Sequence, residues 1–498
     1  MDLNSKIDDN ILKLIDKYSI SYKREKDNKK KYEQYFTSVP IAEFMAKMVG
    51  EVRKNKIKIL DPGCGLGILS ICLIANIFNW NYKVKKIKLD LFEIDKNLVE
   101  DLKVIFAEFS SICKENGIEL EYNIENKDFI ESSNDMIINN SIHTYDIIII
   151  NPPYCKLESN SKVDMSLKSV GIEVPNIYAA FVAQSINILK KGGQLVAITP
   201  RSFCNGLYFT KFRKFIFEKS SIEMIHLFDC RESCFSNDEV LQEVLIYKLK
   251  NKKQTKEVII SHSINDNFED YTIRNEKIEK IVNFKDEHLF IKILKDDEDN
   301  QVSDIINRMS CTLEELGVQV STGPIVDYRT KGLLCKENIQ GSIPILFPEH
   351  FSDTKIIWPL VNIKKKFNYL VPEGKEINQL RPNSIYVLVK RFTSKEEQRR
   401  VVARIWDGSL YHGNFIGIEN KLNYFHVNKD GLDIKLAIGI SKYLNSNLVD
   451  RWFRTISGST QVNVTDLRKL RYPDRKTLIA LSDEEDELII DTILKCSE

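Results

Sequence analysis

The chain has 498 residues, of which 43% are hydrophobic and 29% are charged, and its formal net charge is only +1. This length allows two to three domains, and the composition is that of an ordinary soluble protein. A net charge so close to zero excludes a uniformly basic surface but is compatible with a local basic groove. Because the first residues are charged and no apolar run could span a bilayer, we expect a cytoplasmic protein with no membrane partner.

The ten cysteines show no paired C-x-x-C spacing. Cys230 and Cys234 are close in sequence, but no second pair or histidine tract completes a zinc site. We therefore expect no bound metal and reduced thiols, as in intracellular proteins.

The chain begins with a predicted helix and a lysine-rich run, 1–30, whose lysines fit a solvated face or a contact to phosphates. The stretch 34–49, QYFTSVPIAEFMAKMV, then predicts a helix capped by Thr37 or Ser38. Pro40 fits the first turn of this helix.

Residues 56–76 predict a strand, a glycine-rich turn and a helix. The turn DPGCGLG, from Asp61 to Gly67, lacks the Lys-Ser/Thr of a phosphate-binding P-loop, but its glycines let a ligand approach the backbone. The next strand ends at Glu93, where an acidic side chain can hold the two hydroxyls of a ribose. The neighbouring Asp95 is better explained as a helix N-cap. Together these features indicate a cofactor that contains a ribose.

A third strand is predicted at Leu120 to Ile124, and Asp128 and Phe129 follow it. The Asp128 carboxylate could accept a hydrogen bond from an adenine amino group, and the Phe129 ring could flank the base. The alternative is an ordinary loop.

The stretch DIIIINPPY, from Asp146 to Tyr154, predicts a strand that is buried on both faces and ends abruptly. Two prolines follow Asn151, and they have no N–H to give to a sheet. The Asn151 amide, the Pro152 carbonyl and the Tyr154 ring therefore lie just past the carboxyl end of the strand, where open α/β sheets bind ligands. This set suits a planar molecule with an amino group at its edge.

Strands and helices alternate over the first 250 residues, which predicts an α/β domain with an open, mainly parallel sheet. We place the catalytic domain at 31–255, after the helical and basic segment 1–30. A charged transition is expected at 256–315 and a second domain, with short strands and many turns, at 316–498.

The motifs QYFT, DPGCGLG, FEID, DF, NPPY, NIYAAF and GGQLVAITP follow one another in that order. Ordered in this way, they resemble the γ-class of DNA N6-adenine methyltransferases, bacterial enzymes that often accompany restriction endonucleases. The resemblance covers residues 30–250 and, more weakly, the C-terminal half through RRVVARI, FIGIENKLNYFH and STQVNVTDLRKLRYP. It implies a Rossmann-like, S-adenosylmethionine-dependent methyltransferase domain with a mixed sheet, followed by a mixed α+β DNA-recognition domain.

The resemblance also implies roles for individual residues. Glu93 would hold the ribose of S-adenosylmethionine, and Asp128 and Phe129 its adenine. Tyr154 would stack on a flipped-out target adenine, with Phe235 packing against the same base. The methionine end of the cofactor would be enclosed by Gln34, Tyr35, Phe36, Thr37, Asp61, Gly63 and Gly65; Gly63 departs from the alanine that is common at its position.

The N6 amine of adenine is a poor nucleophile because its lone pair is delocalised into the ring. The Asn151 side-chain oxygen and the Pro152 carbonyl could accept its two hydrogens and direct the lone pair at the sulfonium methyl for direct displacement. The target base must leave the duplex for this reaction. Nothing in the adjacent sequence activates Cys155 as a nucleophile.

Double-stranded DNA is the expected partner, together with a separate endonuclease that acts on the same site, and we expect a monomer. Lys156 fits a phosphate contact, and Gln461 and Asn463 could read adenine edges. For each of the basic residues a solvated surface is the alternative. Further candidates for phosphate or base contacts are Lys364, Lys365, Lys366, Lys390, Arg391, Arg399 and Arg400.

Three other functions share parts of this pattern: an RNA adenine methyltransferase, a protein glutamine methyltransferase and a non-catalytic DNA-specificity module. The first two do not explain the long C-terminal half with its basic and aromatic turns. The third does not explain an intact glycine turn and NPPY motif. Pro473-Asp474 is not followed by Glu-x-Lys, so we expect no DNA cleavage by this chain.

Overall fold

The computed structural model describes residues 9–22, 37–140, 144–228, 243–268, 270–361, 367–394, 397–457 and 460–496. The chain divides into two compact units, Met1–Lys295 and Asp296–Glu498. None of the helices in these described ranges is long and apolar enough to cross a membrane.

The first unit is built on one nine-stranded sheet with helices between its parallel strands. Its helices are α1 (Asp9–Tyr22), α2 (Val39–Met48), α3 (Ile68–Phe78), α4 (Lys96–Glu115), α5 (Phe129–Ile138), α6 (Lys162–Ser169), α7 (Ile177–Ile188), α8 (Thr210–Lys219) and α9 (Ile278–Ile281). Its strands are β1 (Lys56–Pro62), β2 (Lys86–Phe92), β3 (Glu119–Glu125), β4 (Tyr145–Ile150), β5 (Leu189–Pro200), β6 (Ser221–Phe228), β7 (Val244–Lys250), β8 (Glu257–Ser263) and β9 (Thr272–Lys277).

The strands follow the order β3-β2-β1-β4-β5-β7-β6-β8-β9 across the sheet. The first five are mutually parallel, and β7 runs antiparallel between β5 and β6. The mixed sheet that the sequence predicts is therefore confirmed. Because β1, β2 and β4 are parallel neighbours, their carboxyl ends meet at one edge of the sheet.

Strand β4 lies at the centre of this unit, and all six of its residues are buried. Ile147 and Ile149 pack into the core on one face of the sheet, whereas Ile148 and Ile150 pack into the core on the other. This alternation explains the run of four isoleucines, since a strand covered on both faces has no polar side. The strand stops before Asn151, as the two prolines predict.

Two strands extend the sheet beyond residue 255, where the sequence analysis ended the catalytic domain. Strand β8 pairs in parallel with β6, from Met224↔Ile259 to Phe228↔Ser263, and β9 pairs antiparallel with β8. Without β8, the backbone groups of β6 would form an unpaired edge. The charged flanks of 256–315 resemble a linker in composition, but residues 257–263 and 272–277 belong to the sheet.

The second unit is a mixed α+β structure with two sheets, which agrees with the predicted class. One sheet has the order β10-β18-β15-β16 and the other β11-β13-β12-β17-β14. The strands are β10 (Gln319–Thr322), β11 (Leu334–Cys335), β12 (Ile343–Leu346), β13 (Tyr369–Leu370), β14 (Arg381–Pro382), β15 (Tyr386–Lys390), β16 (Ala403–Trp406), β17 (Phe415–Ile418) and β18 (Leu422–His426). The helices are α10 (Asp297–Arg308), α11 (Ile434–Leu444), α12 (Asn447–Ile456), α13 (Val464–Lys469), α14 (Arg475–Ser482) and α15 (Glu487–Cys496).

Gly67 closes the turn after β1, with φ +75°, and a Cβ atom there would lie 2.5 Å from Phe106 Cε2. In a Gly67→Ala variant, the new Cβ atom would clash with the Phe106 ring, and alanine would have to adopt a left-handed backbone conformation. We therefore expect the free energy of unfolding to fall by about 2–4 kcal/mol. Gly117 provides the matched control, because its φ is +77° and a Cβ atom there would have no neighbour within 4 Å. Gly117→Ala should cost only about 1 kcal/mol. Equal losses in urea titrations of the two variants would contradict the packing explanation.

Candidate active site at the ends of the parallel strands

The glycine turn after β1 is fastened to the end of β2. The backbone N–H groups of Gly63 and Cys64 both donate to the carbonyl oxygen of Phe92, at 2.8 and 3.0 Å. Gly63 has φ +72°, and a Cβ atom there would lie 3.5 Å from the Phe181 ring. A glycine at this position therefore leaves room between the turn and α7.

Asp61 is fully buried, and its Oδ2 accepts a hydrogen bond of 2.7 Å from Ser70 Oγ. Its other oxygen, Oδ1, is also buried and has no hydrogen-bond partner in the part of the chain that the structure describes. Burial raises the pKa of this carboxyl to about 7, and the nearby charge of Glu93 acts in the same direction. A buried acceptor without a partner is the kind of atom that the N–H group of a ligand would satisfy.

Glu93 follows β2 and is also buried, with both oxygens held by backbone N–H groups. Oε2 accepts from Gly65 at 2.9 Å, and Oε1 accepts from Asp95 at 2.8 Å. Burial raises the pKa of Glu93, although these hydrogen bonds oppose the shift. Since a carboxylate offers about four lone-pair sites, Glu93 can still accept from two ligand hydroxyls.

The Asp95 carboxylate accepts from the backbone N–H of Asn97 at 2.9 Å. The prediction that Asp95 caps helix α4 is therefore confirmed.

Asp128 and Phe129 stand at the start of α5. The Asp128 carboxylate caps this helix by accepting from the Glu131 backbone N–H at 3.0 Å. The Phe129 ring is buried and meets the rings of Phe92 and Phe181, with centroids 5.6 and 5.1 Å away. This apolar cluster lies beside the glycine turn, because Phe181 also faces Gly63.

The side-chain amide of Asn151 is held at both ends. Its Nδ2 donates to Thr37 Oγ1 at 3.0 Å, and its Oδ1 accepts from the Tyr154 hydroxyl at 3.1 Å. Thr37 is almost fully buried just before α2. The amide is therefore held between two hydroxyl groups, one just before α2 and one in the NPPY segment.

The Tyr154 ring is half-buried and meets the buried Tyr178 ring edge-on, with centroids 6.3 Å apart. Tyr178 is fixed in turn by a 3.0 Å hydrogen bond between its hydroxyl and Ser202 Oγ, and by stacking on Phe209. Pro152 is buried. Helix α7 thus supports the base of the NPPY segment.

Comparisons with known proteins show the family of the chain. Residues 65–235 match the family model of the Eco57I restriction-modification methylase. The chain is 40% identical over 459 residues to the type II methyltransferase M.PstI of Providencia stuartii, a match that covers 91% of this chain and 89% of the relative. It is 39% identical over 477 residues to M.BsuBI of Bacillus subtilis, covering 95% and 93%. The chain belongs to the type II restriction–modification methyltransferases.

A solved structure shares the fold of this methyltransferase over most of its length. The cryo-EM structure of a DrdV–DNA complex aligns with 95% of this chain and 59% of that chain, with a TM-score of 0.51 and 12% sequence identity. At this identity the likeness concerns the fold alone.

Two contacts in the methyltransferase site were not predicted from the sequence. Thr37 was expected at the cofactor, but its described side-chain contact is with Asn151. Phe181 was not singled out, although it ends the motif NIYAAF and packs between Phe129 and Gly63. Gln34, Tyr35, Phe36 and Phe235 lie outside the described residues, so their predicted roles stay predictions.

Two of the arginines predicted to contact DNA have partners within the second unit. Arg399 donates to the Asn445 carbonyl oxygen and forms a 2.8 Å ion pair with Glu487. Arg400 is only 1% exposed, and its guanidinium lies 5.6 Å from the centroid of the Phe453 ring. Arg400 is therefore a core residue rather than a surface cation, because its aliphatic stem and charged head are both enclosed.

The remaining predicted DNA contacts lie on exposed or half-buried positions. Lys156 is exposed and forms a β-bridge with Asn176 in the first unit. The Lys390 ammonium lies 5.7 Å from the centroid of the Phe351 ring, and the Arg391 guanidinium donates to the Asn420 carbonyl oxygen. Gln461 forms a β-bridge with Phe392, and Asn463 directly precedes α13. Lys364, Lys365 and Lys366 lie outside the described residues. The roles of these residues stay predictions.

The buried carboxyl of Asp61 gives a pH prediction. Its pKa rises from 3.8 to about 7 on folding, so the unfolded chain releases this proton at lower pH than the folded chain does. The unfolding free energy should therefore fall by a few kcal/mol between about pH 4 and about pH 7 and then level off. Asp61→Asn keeps the shape and removes the titration, so this part of the slope should vanish in urea titrations. Parallel curves for the two proteins would contradict the raised pKa.

Proposed function

We propose that the chain transfers a methyl group from S-adenosylmethionine to N6 of a flipped-out adenine in double-stranded DNA. The reaction would take place at a specific sequence and would protect that sequence from a cognate restriction enzyme. The observation that carries the proposal is the Asn151 amide, fixed between Thr37 and Tyr154 at the end of β4. The likeness to M.PstI and M.BsuBI over nearly the whole chain supports it.

Asn151 would act on the target amine through its side-chain oxygen. Thr37 Oγ1 accepts from Nδ2 of this amide, and the amide oxygen Oδ1 accepts from the Tyr154 hydroxyl. Because a carbonyl oxygen has two lone pairs, Oδ1 would be able to accept from an N6 hydrogen of the target base as well. The Pro152 carbonyl would accept the other N6 hydrogen, and the amine nitrogen would then direct its lone pair at the methyl group.

The residues of the glycine turn and of the end of β2 suit S-adenosylmethionine. Asp61 Oδ1, which is buried and has no partner within the described ranges, would accept from the ammonium group of the methionine end. Glu93 would accept from the ribose hydroxyls, and Phe129 and Phe181 would flank the adenine. When bound, the cofactor supplies an electrophilic methyl group on a sulfonium.

The adjacent strands bring these two sets of residues together. Strand β1 pairs in parallel with β4 through Leu60↔Ile148, so the turn that follows β1 and the Asn151 segment that follows β4 leave the sheet side by side. Such proximity and orientation can account for a large part of a rate enhancement without a covalent intermediate. Tyr154 would stack on the flipped base, an interaction worth roughly 1–3 kcal/mol.

Methyl-labelled S-adenosylmethionine and mixed-sequence duplex DNA test this function directly. We expect label in DNA, recovered as N6-methyladenine after hydrolysis to nucleosides. Asn151→Ala should slow the transfer at least about 100-fold, since it removes a hydrogen-bonding group that acts on the reacting atom. Thr37→Val keeps the side-chain shape but loses the acceptor and should slow transfer about tenfold, whereas Thr37→Ser should stay near wild type.

Parallel reactions with RNA and with protein separate the alternatives. Label on RNA or protein but not on DNA would overturn the proposal, and label on cytosine would overturn the choice of adenine. Equal single-turnover rates for Thr37→Val and Thr37→Ser would show that the Thr37 hydroxyl does not orient Asn151.

Glu93 yields a separate prediction about cofactor affinity. Glu93→Ala should weaken the binding of S-adenosylmethionine about 10- to 100-fold in isothermal titration calorimetry, because hydrogen bonds to a charged group contribute about 1.5–3 kcal/mol. Glu93→Gln keeps one oxygen acceptor and should lose less. Far-UV circular dichroism would verify that both variants keep the fold, and unchanged affinity in a folded Glu93→Ala variant would refute the ribose assignment.

A further inference from the structure

A polar cleft of about 1050 Å³ opens in the second unit. It lies between strand β10, the turn after strand β18 and helix α13. Its lining includes Gln319, Ser321, His426, Asn428, Lys429 and Arg468. Glu314 is the one acidic residue among the described residues that line it.

The turn after β18 is rigid and carries a lysine in an unusual backbone conformation. The backbone groups of Val427 and Asp430 exchange two hydrogen bonds, at 3.0 and 2.8 Å. Asn428 and Lys429 between them have φ values of +48° and +70°. Two consecutive positive φ values describe a type I′ turn, for which Asn-Gly is the favoured pair. A lysine in the glycine position costs backbone energy that glycine would avoid, and such strain clusters at functional sites.

His426 forms the floor beneath this turn. Its Nδ1 accepts from the Lys429 backbone N–H at 3.0 Å, and its Nε2 lies 2.9 Å from Ser321 Oγ. The ring is nearly fully buried and stacks on Tyr424, with centroids 4.8 Å apart. Burial lowers its pKa to about 4, and the neighbouring charges of Arg381, Arg468 and Lys429 contribute in the same direction. At neutral pH the floor is thus an uncharged ring, while the cations around it make the cleft electropositive.

Arg468 forms the opposite wall of the cleft. It is exposed, and its Nη2 donates to the Val320 carbonyl oxygen at 2.9 Å, which ties α13 to β10. Because a guanidinium has five N–H donors, this bond leaves others for a ligand. The cleft therefore presents an ammonium group on a rigid turn and a guanidinium on an anchored side chain.

We propose that this cleft binds the phosphate backbone of duplex DNA, with Lys429 and Arg468 each contacting a phosphate and the Gln319 and Asn428 amides beside them. The proposal rests on the proposed function, since it takes DNA as the substrate. The cleft carries two cationic side chains, Lys429 and Arg468, and one acidic side chain, Glu314, so its net positive charge complements the charge of phosphates. Amide side chains are also common phosphate partners. A merely solvated lysine would not explain why the turn carries Lys429 where glycine fits without strain.

The test is equilibrium binding of fluorescent duplexes, measured by anisotropy over a range of salt concentrations. Lys429→Gly removes the charge and suits the turn, so this variant should be at least as stable as wild type and yet bind DNA more weakly. We expect affinity to fall about three- to tenfold, by the same factor for duplexes of different sequence, and the slope of log affinity against log salt to decrease by about 1. Lys429→Arg should retain affinity.

Lys476→Gln is the matched control for loss of one charge. Lys476 is exposed on α14 and does not line the cleft, so its variant should keep the wild-type affinity and salt slope. Equal affinity and slope for Lys429→Gly and wild type would overturn the proposal while leaving the methylation of DNA intact. A loss confined to one sequence would also overturn it, because that result indicates base readout rather than phosphate contact. A wild-type protein that neither binds nor methylates DNA would overturn the proposed function itself.

Discussion

The amide of Asn151 is the group whose position the first unit must hold, and three separate constraints act on it. Strand β4, buried on both faces, fixes the backbone up to Ile150, and two prolines prevent the sheet from continuing. Thr37 and Tyr154 then hold the two ends of the amide. Helix α2, which places Thr37, is itself fastened by a Phe44 ring stacked 4.2 Å from Phe268. The short loop that contains Phe268 thereby supports a side chain it does not touch.

The carboxyl groups of Glu93 and Asp61, beside the glycine turn, are both buried but differ in the hydrogen bonds that they accept. Glu93 accepts a backbone hydrogen bond on each oxygen, and these bonds offset part of the cost of burying its charge. Asp61 accepts a side-chain hydrogen bond on one oxygen, and its other oxygen is buried with no hydrogen-bond partner among the described residues. Burying an acceptor without compensation is unfavourable, so the folded chain gives up some stability at Asp61. The cationic group of the proposed cofactor would compensate this cost.

Much of the first unit could be predicted from the sequence because its signals are local. The isoleucine run and the prolines define β4, and the glycines define the turn after β1. The contact between Thr37 and Asn151 could not be predicted, since 114 positions separate the two residues and only the folded sheet brings them together. The same limit applies to Arg400, whose sequence context is that of a surface cation but whose side chain enters a core. Short strands were expected within the charged segment 256–315, but their place in the catalytic sheet was not, because their charged flanks have the composition of a linker.

The residues of the strand-end site all come from the first unit, and the basic cleft is built entirely from the second. No residue serves both sets. An exchange of chain near Lys295 and Asp296 would therefore replace one set and keep within the first unit the hydrogen bonds that join Asn151 to Thr37 and Tyr154. Under the proposed function, a chain with a different second unit would recognise a different target, while the residues at the end of β4 would stay the same.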